Sequence, residues 1–286
     1  MQNRNHIFTV SRFFSLILAI SLTFATLTCE TDFSAIQNPE SQSNLGTNAK
    51  PQCESCDILF IGSSYLSYVG NDVIEVFSGF AAEANKAVYI DRRDLGGWRL
   101  YKHAQSQETI DKINERKWDY IILQGNAAFL SKEKWHHYII PYLKELRRII
   151  KNNSPQTCVI YMMPWAYLDG LAWVEGETDT YEQMQENLYR ETTKVVHDID
   201  IVTAPAGWAW YTAITNGYAA DLYLNDNNHQ SKSGAYLTAC VFYSTIFEEP
   251  APLIPYPWGE NDDVQYLHEV AHSTVVDNLS LWNIYY

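Results

Sequence analysis

Five short apolar runs, separated by stretches with helical periodicity, most constrain how this chain can fold. Each run is four or five residues long, as expected of strands that are buried on both faces of a parallel sheet. Parallel neighbours require long crossover connections, and the helical stretches are long enough to supply them. We therefore predict one doubly wound α/β domain with a five-stranded parallel sheet. The predicted strands are Asp57–Ile61, Ala87–Asp91, Tyr120–Leu123, Cys158–Met162 and Ile199–Thr203.

The stretches between and after these runs carry apolar residues on one helical face. The segment Ala166–Asp179 differs, because it is long, acidic and aromatic and follows a predicted strand. Long connections at strand ends tend to carry function, and we expect the same of this one. The predicted helices are Asn71–Asn85, Leu100–Arg116, Lys132–Asn152, Thr180–His197, Ser233–Phe247 and Asp262–Val276.

The N-terminal residues have the layout of an export signal. Arg4 and Arg12 precede an apolar run that is too short and too cleanly terminated to favour a membrane-spanning helix. We predict a signal peptide over residues 1–28, a polar tether over residues 29–55 and one folded domain over residues 56–286.

Cys29 directly follows the apolar run, at the position of the acylated first residue of a bacterial lipoprotein. We favour a lipid anchor at Cys29, and so an exported periplasmic or cell-surface lipoprotein, over an ordinary cleaved signal with an unrelated cysteine. A membrane contact is predicted only through this anchor. The formal net charge of −14 argues against nucleic acid as a partner, because the phosphate backbone would be repelled. Cys53 and Cys56 are compatible with a local disulfide or with two idle thiols.

The triplet Gly62–Ser64 places a hydroxyl at the carboxyl end of the first predicted strand, where open α/β sheets build their sites. A nucleophilic serine also needs a base, a group that orients the base, and donors for an oxyanion. Asp226 and His229 lie in a polar loop beyond the last predicted strand. A carboxylate three residues before a histidine can reach its Nδ1 and leave Nε2 free to take a proton. Alone the pair is a weak motif, because most Asp/His pairs in loops form turns.

Donors for an oxyanion are available after the next two predicted strands. Gly97 is the second of two adjacent glycines, which let a backbone N–H approach a ligand closely. Gln124 and Asn126 supply two carboxamides after the third strand. With the N–H of Ser64, these groups would converge at three successive strand ends.

Four blocks in this order resemble the SGNH (GDSL-like) hydrolase family. The blocks are Gly62–Ser64, Gly97, Gly125 with Asn126, and Asp226-x-x-His229. The last block continues in a way that is similar to a poorly characterised bacterial branch of that family, and the resemblance covers about residues 56–250. The residues that continue it are Ser231, Gly234, Tyr236, Leu237 and Ala239.

The resemblance implies a flavodoxin-like sheet within a three-layer sandwich, and a site that needs neither metal nor cofactor. It implies Ser64 as the nucleophile, His229 as the base and Asp226 as the residue that orients His229. Gly97 and Asn126 would complete the oxyanion hole. Three positions depart from the family pattern without removing a reacting group. Ser63 replaces an Asp, Gln230 replaces a Pro, and Gln124 could serve as the carboxamide donor instead of Asn126.

The implied activity is that of a serine esterase working by Ser-His-Asp acyl transfer. Many relatives remove O-acetyl groups from carbohydrates, so we expect an acyl ester, O-acetyl above all, on a carbohydrate. Trp98 and Trp165 lie near predicted strand ends and could stack on sugar rings, or could pack in the core. Two alternatives stay open: an esterase on lipid or other small acyl esters, and a non-catalytic glycan-binding surface protein.

The segment His268–His272 matches the H-E-x-x-H helix of zinc peptidases. Such a site needs a third ligand, and the residues after His272 include no His or Glu and one Asp, Asp277. The same segment is also amphipathic, and we favour a closing helix without metal. His103, close after the glycine pair, could line the site, but we expect it to pack in the interior.

Overall fold

The computed structural model describes residues 50–51, 55–218, 222–254 and 261–285. The predicted signal peptide and most of the predicted tether, including Cys29 and Cys53, lie outside the described residues. Among the described helices, none has both the length and the hydrophobicity that crossing a bilayer requires.

The predicted doubly wound α/β fold is confirmed. Five parallel strands form the central sheet in the order β4-β1-β5-β6-β7, which is the flavodoxin-like order. All residues of β5, β6 and β7 are buried, as the continuous apolar runs predict. A small antiparallel hairpin of β2 and β3 follows β1. The strands are β1 Ser55–Gly62, β2 Ser67–Tyr68, β3 Asn71–Asp72, β4 Ala87–Asp94, β5 Tyr120–Gln124, β6 Cys158–Met162 and β7 Val202–Ala204.

Helices cover the sheet and close the fold. The helix after β7 continues into a short π-helical turn, Ile214–Tyr218. Asn126 caps the short helix that begins at Ala127. A 3₁₀ helix, Glu133–Tyr138, lies between α4 and α5. The α-helices are α1 Val73–Glu83, α2 Leu100–Gln105, α3 Gln107–Asn114, α4 Ala127–Ser131, α5 Ile140–Asn153, α6 Tyr181–Asp198, α7 Ala206–Ala213, α8 Lys232–Phe247 and α9 Asn261–Val276.

Two predicted helices are each divided in the structure, for local reasons. Ser106 separates α2 from α3, and its hydroxyl caps the new helix by accepting the amide of Thr109. Pro141 lies in the first turn of α5, where its missing N–H costs nothing, so a fresh helix begins there. The last strand begins three residues later than predicted, because Asp200 adopts a left-handed turn after α6.

The sheet order reverses between β1 and β5, and such a switch point opens a crevice at the carboxyl ends of the strands. The loops after β1, β4 and β5 meet at this crevice. The amide of Leu95, just after β4, donates to the carbonyl oxygen of Gly62 at the end of β1 at 3.1 Å. The topology therefore brings the predicted nucleophile and both predicted groups of oxyanion donors to one edge of the sheet.

Candidate active site

Ser64, His229 and Asp226 form one hydrogen-bonded chain although Ser64 and His229 are 165 residues apart. The Nε2 atom of His229 lies 2.9 Å from Oγ of Ser64. The Nδ1 atom of His229 lies 2.6 Å from Oδ2 of Asp226. These contacts make the neutral tautomer with a proton on Nδ1 the favoured one, so Nε2 can accept the proton of the Ser64 hydroxyl.

Asp226 is held ionised by its own turn. Its Oδ1 accepts the backbone amides of Asn228 at 3.1 Å and His229 at 2.9 Å, which is an Asx-type turn. Partial burial raises the pKa of Asp226, but the hydrogen bonds from the amide and ring of His229 outweigh that effect and leave the pKa below its ordinary value. The carboxylate therefore both shapes the turn and faces the imidazole as an anion.

The turn that carries Ser64 is fixed from below by Gln124. Oε1 of Gln124 accepts the amide of Ser63 at 2.7 Å and its hydroxyl at 2.8 Å. A Cβ on Gly62 would lie 2.8 Å from that same oxygen, so only glycine permits this close approach. The Ser63 hydroxyl therefore stabilises the turn through Gln124, whereas the Ser64 hydroxyl contacts the imidazole of His229.

Gln124 is placed less favourably than Asn126 to donate to an oxyanion. Gln124 is buried, and its amide nitrogen donates to the carbonyl oxygen of Gly125. Both ends of the carboxamide therefore have partners within the protein. Asn126 differs, because its Oδ1 caps α4 by accepting the amide of Phe129 at 3.2 Å, while the residue is only half-buried. Its side chain also has the hydroxyl of Tyr167 as a hydrogen-bond partner, and an amide nitrogen carries two N–H groups, so Nδ2 of Asn126 stays the candidate carboxamide donor to an oxyanion.

Backbone amides can supply the other oxyanion donors. Within the described part of the chain, neither the amide of Ser64 nor that of Gly97 donates to a protein acceptor. Gly97 has φ of +70°, a left-handed conformation that favours glycine, and it is exposed. Both amides lie in loops that the Leu95–Gly62 contact holds together.

Gln230 joins the base-bearing loop to the nucleophile turn. Its Nε2 donates to the carbonyl oxygen of Ser64 at 2.9 Å and to that of Asn71 at 3.3 Å. Asn71 returns a hydrogen bond from its Nδ2 to the backbone oxygen of Gln230 at 3.0 Å. A proline at position 230 could not make these side-chain contacts, which explains the departure from the SGNH pattern.

The long loop after β6, residues 163–180, supports the Asp226–His229 turn from the other side. The backbone amide of Leu168 donates to the oxygen of Asn227 at 2.9 Å, and Nδ2 of Asn227 donates to Asp169 at 2.8 Å. Trp165 donates from Nε1 to the backbone oxygen of Asn228 at 2.9 Å. The expected functional loop therefore contacts the turn that carries the predicted base.

The expectation that Trp165 contacts substrate is wrong. Its side chain is fully buried, stacked between the rings of Tyr65 at 4.5 Å and Trp210 at 4.1 Å. Trp98 is half-buried, with its ring 5.0 Å from His103 and the guanidinium of Arg93 5.5 Å from its centre. Trp98 remains a candidate for substrate contact, whereas Trp165 is a packing residue with a polar anchor.

Tyr68 is a residue next to the candidate site that no sequence motif indicates. The hairpin turn at Val69 and Gly70, with φ of 50° and 80°, returns the chain sharply and places Tyr68 over the imidazole of His229. A β-branched residue at positive φ is uncommon, so this turn carries backbone strain next to the site. Nothing in the local pattern distinguishes Tyr68 from the chain's other tyrosines, because its partner lies in a distant segment.

His103 is fully buried beneath the nucleophile turn, as expected of a packing residue. Its Nε2 lies 2.9 Å from the backbone oxygen of Gly62 and its Nδ1 lies 3.3 Å from Oγ1 of Thr109. Burial lowers the pKa of His103 to about 4, so the ring is neutral at pH 7 and donates to Gly62.

The H-E-x-x-H segment packs as a closing helix, α9. Both ring nitrogens of His268 are engaged, Nε2 with the hydroxyl of Tyr236 at 2.6 Å and Nδ1 with the backbone oxygen of Ala251 at 2.9 Å. Among the described residues, no group of three or more His, Cys, Asp or Glu side chains is arranged to hold a metal ion. The geometry of His268 is that of a core histidine.

The fold is shared with solved structures of SGNH and GDSL-like proteins. The chain belongs to the family described as a domain of unknown function (DUF4886), whose model matches residues 57–278. No curated protein matches the chain.

Solved structures share this fold at low sequence identity. A DUF4886 family protein from Bacteroides uniformis is 18% identical, with 78% of this chain and 95% of that chain covered and a TM-score of 0.64. A protein from Slackia heliotrinireducens assigned to the SGNH hydrolases is 19% identical, with coverages of 66% and 97% and a TM-score of 0.52. The acetylxylan esterase Axe2 from Geobacillus stearothermophilus is 16% identical, with coverages of 68% and 95% and a TM-score of 0.52.

Proposed function

We propose that this protein is a serine esterase that removes acyl groups, O-acetyl above all, from a carbohydrate. The observation that carries the proposal is the chain of contacts from Ser64 through His229 to Asp226, at 2.9 and 2.6 Å. A serine hydroxyl that is hydrogen-bonded to an imidazole is activated for acyl transfer when a carboxylate is hydrogen-bonded to the other nitrogen of that imidazole.

The proposed reaction has two halves. Ser64 Oγ attacks the ester carbonyl while His229 Nε2 takes its proton, and the amides of Ser64 and Gly97 with Nδ2 of Asn126 bind the oxyanion. The bond between the acyl carbon and the sugar oxygen then breaks, His229 gives its proton to that oxygen, and an acyl-Ser64 ester remains. Water then attacks the acyl carbonyl while it gives a proton to His229. The bond to Ser64 Oγ breaks, His229 returns the proton to that oxygen, and the carboxylic acid leaves. Asp226 stays ionised throughout and stabilises the imidazolium.

Two observations favour this reaction and a carbohydrate substrate. Two structures of the acetylxylan esterase Axe2 are catalytic mutants in which a serine and an aspartate are replaced by alanine. In the present chain, Trp173 is 65% exposed on the loop that contacts the Asp226–His229 turn, with its ring 5.6 Å from Tyr167. An exposed indole beside the site can stack on a sugar face.

The decisive experiment is covalent labelling of the purified protein with a fluorophosphonate, followed by peptide mapping. We expect one label on Ser64, no label on the Ser64→Ala variant, and acetate release from acetylated oligosaccharides by the wild type alone. A protein that binds these glycans without labelling or turnover would be the non-catalytic alternative. Faster cleavage of p-nitrophenyl decanoate than of the acetate would favour the lipid-ester alternative.

Export and anchoring are also part of the proposal and rest on the N-terminal sequence. A lipid on Cys29 would hold the domain at a membrane surface through the polar tether. Metabolic labelling with an alkyne fatty acid should mark the wild type and not the Cys29→Ser variant. A soluble, unlabelled wild-type protein would show that the signal is an ordinary cleaved one.

A further inference from the structure

Arg99 is an exposed cation that forms no ion pair with a carboxylate among the described residues. Among the arginines that the structure describes, Arg99 alone lacks a carboxylate within ion-pair distance. The paired arginines are Arg92, Arg93, Arg116, Arg147, Arg148 and Arg190. In a chain with a formal charge of −14, acidic side chains are abundant, so an exposed arginine without one is a departure from the pattern of this surface.

Arg99 lies in the same loop as the proposed oxyanion donor Gly97 and packs on an aromatic ring. It follows Gly97 by two residues, and its guanidinium lies 4.4 Å from the ring centre of Phe129. Phe129 belongs to the first turn of α4, and Asn126 caps that helix by accepting the amide of Phe129, so the guanidinium packs on the helix that the proposed carboxamide donor caps. Stacking on a ring face leaves the edge N–H groups of a guanidinium free to bind an anion in a bidentate manner.

The charge of Arg99 also acts on Tyr167 of the loop after β6. Burial raises the pKa of Tyr167, and Arg99 is among the groups that oppose this rise, together with Tyr65 and Asn126. Tyr65 directly follows Ser64 in the chain. The cation is therefore within electrostatic reach of the residues around the nucleophile and does not face an unrelated part of the surface.

We propose that Arg99 binds a carboxylate on the substrate, so that the preferred substrate is an acyl ester of an acidic sugar, such as a uronic acid. This inference names the substrate class of the esterase proposed above and rests on that function. The negative charge of the whole protein repels such a substrate at long range, and a dedicated cation next to the oxyanion donors offsets this repulsion where the ester reacts. Arg99 acts as a specificity residue and takes no part in proton transfer.

The test compares two esters that differ in one group. O-acetylated methyl glucuronoside carries a carboxylate where O-acetylated methyl glucoside carries a hydroxymethyl group. We expect the wild type to prefer the uronoside in kcat/KM, and Arg99→Gln to reduce the ratio of the two values by roughly 10- to 100-fold, the range for a charge-assisted hydrogen bond. Arg99→Lys should keep part of the preference, because it retains charge without the planar fork.

Lys144→Gln is the matched control. It removes one positive charge from an exposed position on α5, outside the loops at the strand ends, and should leave the ratio unchanged. The wild-type preference should weaken as salt is added, since an exposed ion pair is screened. A wild-type ratio near one, or an equal ratio in wild type and Arg99→Gln, would show that Arg99 is only a solvated surface cation.

A binding measurement separates this inference from the proposed function. Titration calorimetry on the Ser64→Ala protein, with and without Arg99→Gln, reports binding of the same two esters without turnover. Tighter binding of the uronoside that is lost with Arg99 supports the inference even if the wild type hydrolyses neither ester, in which case the esterase proposal fails alone. Equal binding of both esters overturns the inference, whatever the turnover.

Discussion

The phenol ring of Tyr68 lies face to face with the imidazole of His229, with ring centroids 3.7 Å apart and planes 12° from parallel. Tyr65 meets the same imidazole edge-on, with its ring centroid 5.8 Å away. The imidazole is therefore held by a ring on its face, a carboxylate at Nδ1 and a hydroxyl at Nε2. This arrangement restricts the rotation of His229 and favours the orientation in which Nε2 faces Ser64.

Replacing the stacked ring should slow turnover more than it weakens substrate binding. We expect Tyr68→Ala to lower kcat by roughly 2- to 10-fold, because an aromatic pair is worth about 0.5–1.5 kcal/mol. Tyr68→Phe keeps the ring and should restore the wild-type rate, measured with p-nitrophenyl acetate. Equal loss in the Phe variant would mean that the hydroxyl matters and that the stacking does not.

Asp226 should be needed for the tautomer of His229 more than for the fold. We expect Asp226→Asn to lower kcat by about 10⁴-fold, because an amide nitrogen facing Nδ1 favours the wrong tautomer. The asparagine Oδ1 can still accept the amides of Asn228 and His229, so the turn should persist. Thermal unfolding within a few degrees of the wild type, together with the lost turnover, would bear this out. A variant that keeps most of its activity would contradict the assigned role.

Asn126 and Gln124 should behave in opposite ways. Asn126→Ser removes the Nδ2 donor but keeps an oxygen that can cap α4, so kcat should fall by about 10²–10³ with little change in stability. Both kcat and the urea concentration at the midpoint of unfolding should be measured for Asn126→Ser and for the wild type. A variant that loses stability and keeps kcat would make Asn126 a cap residue only.

Gln124→Leu should destabilise the protein, because the buried amide and hydroxyl of Ser63 lose their acceptor. A buried polar group left unpaired costs about 1–3 kcal/mol, to be measured by urea denaturation. A stable Gln124→Leu protein with kcat lowered by roughly 10²-fold or more would instead make Gln124 the oxyanion donor.

His103 should make the fold sensitive to acid. Its pKa is about 4 in the folded state against an ordinary value of 6.5, so above pH 6.5 both states are neutral and the residue adds no pH dependence. As the pH falls below 6.5, the unfolded chain takes up a proton that the folded protein does not, and the free energy of unfolding falls until the pH nears 4. We expect a loss of about 2 kcal/mol between pH 7 and pH 4.5 from this group.

The control for that prediction is His103→Gln, whose amide can still donate to the carbonyl of Gly62 but does not titrate. The drop in unfolding free energy from pH 7 to pH 4.5 should be smaller in this variant than in the wild type. An identical drop would show that other groups, among them His268 with its lowered pKa, account for the whole acid sensitivity.

The sheet was predictable because a strand that is buried on both faces appears in the sequence as a short continuous run of apolar residues. Strands such as Cys158–Met162 read as continuous apolar runs, and the predicted bounds of that strand agree with the structure. Short motifs were equally local: the Asp226-x-x-His229 turn closes on itself through hydrogen bonds three residues apart or fewer. The carboxyl edge of a parallel sheet then gave a reason to expect Ser64 near that turn.

Only the tertiary structure determines which polar side chains form their hydrogen bonds within the protein and which can reach a ligand. Gln124 and Asn126 are two carboxamides at one strand end, and only their tertiary contacts and burial distinguish them. Trp165 and Tyr68 are likewise distinguished by partners far along the chain, Asn228 and His229. Periodicity records whether a side chain is buried but carries no information about which distant atoms it meets, because those contacts depend on how separate elements pack together.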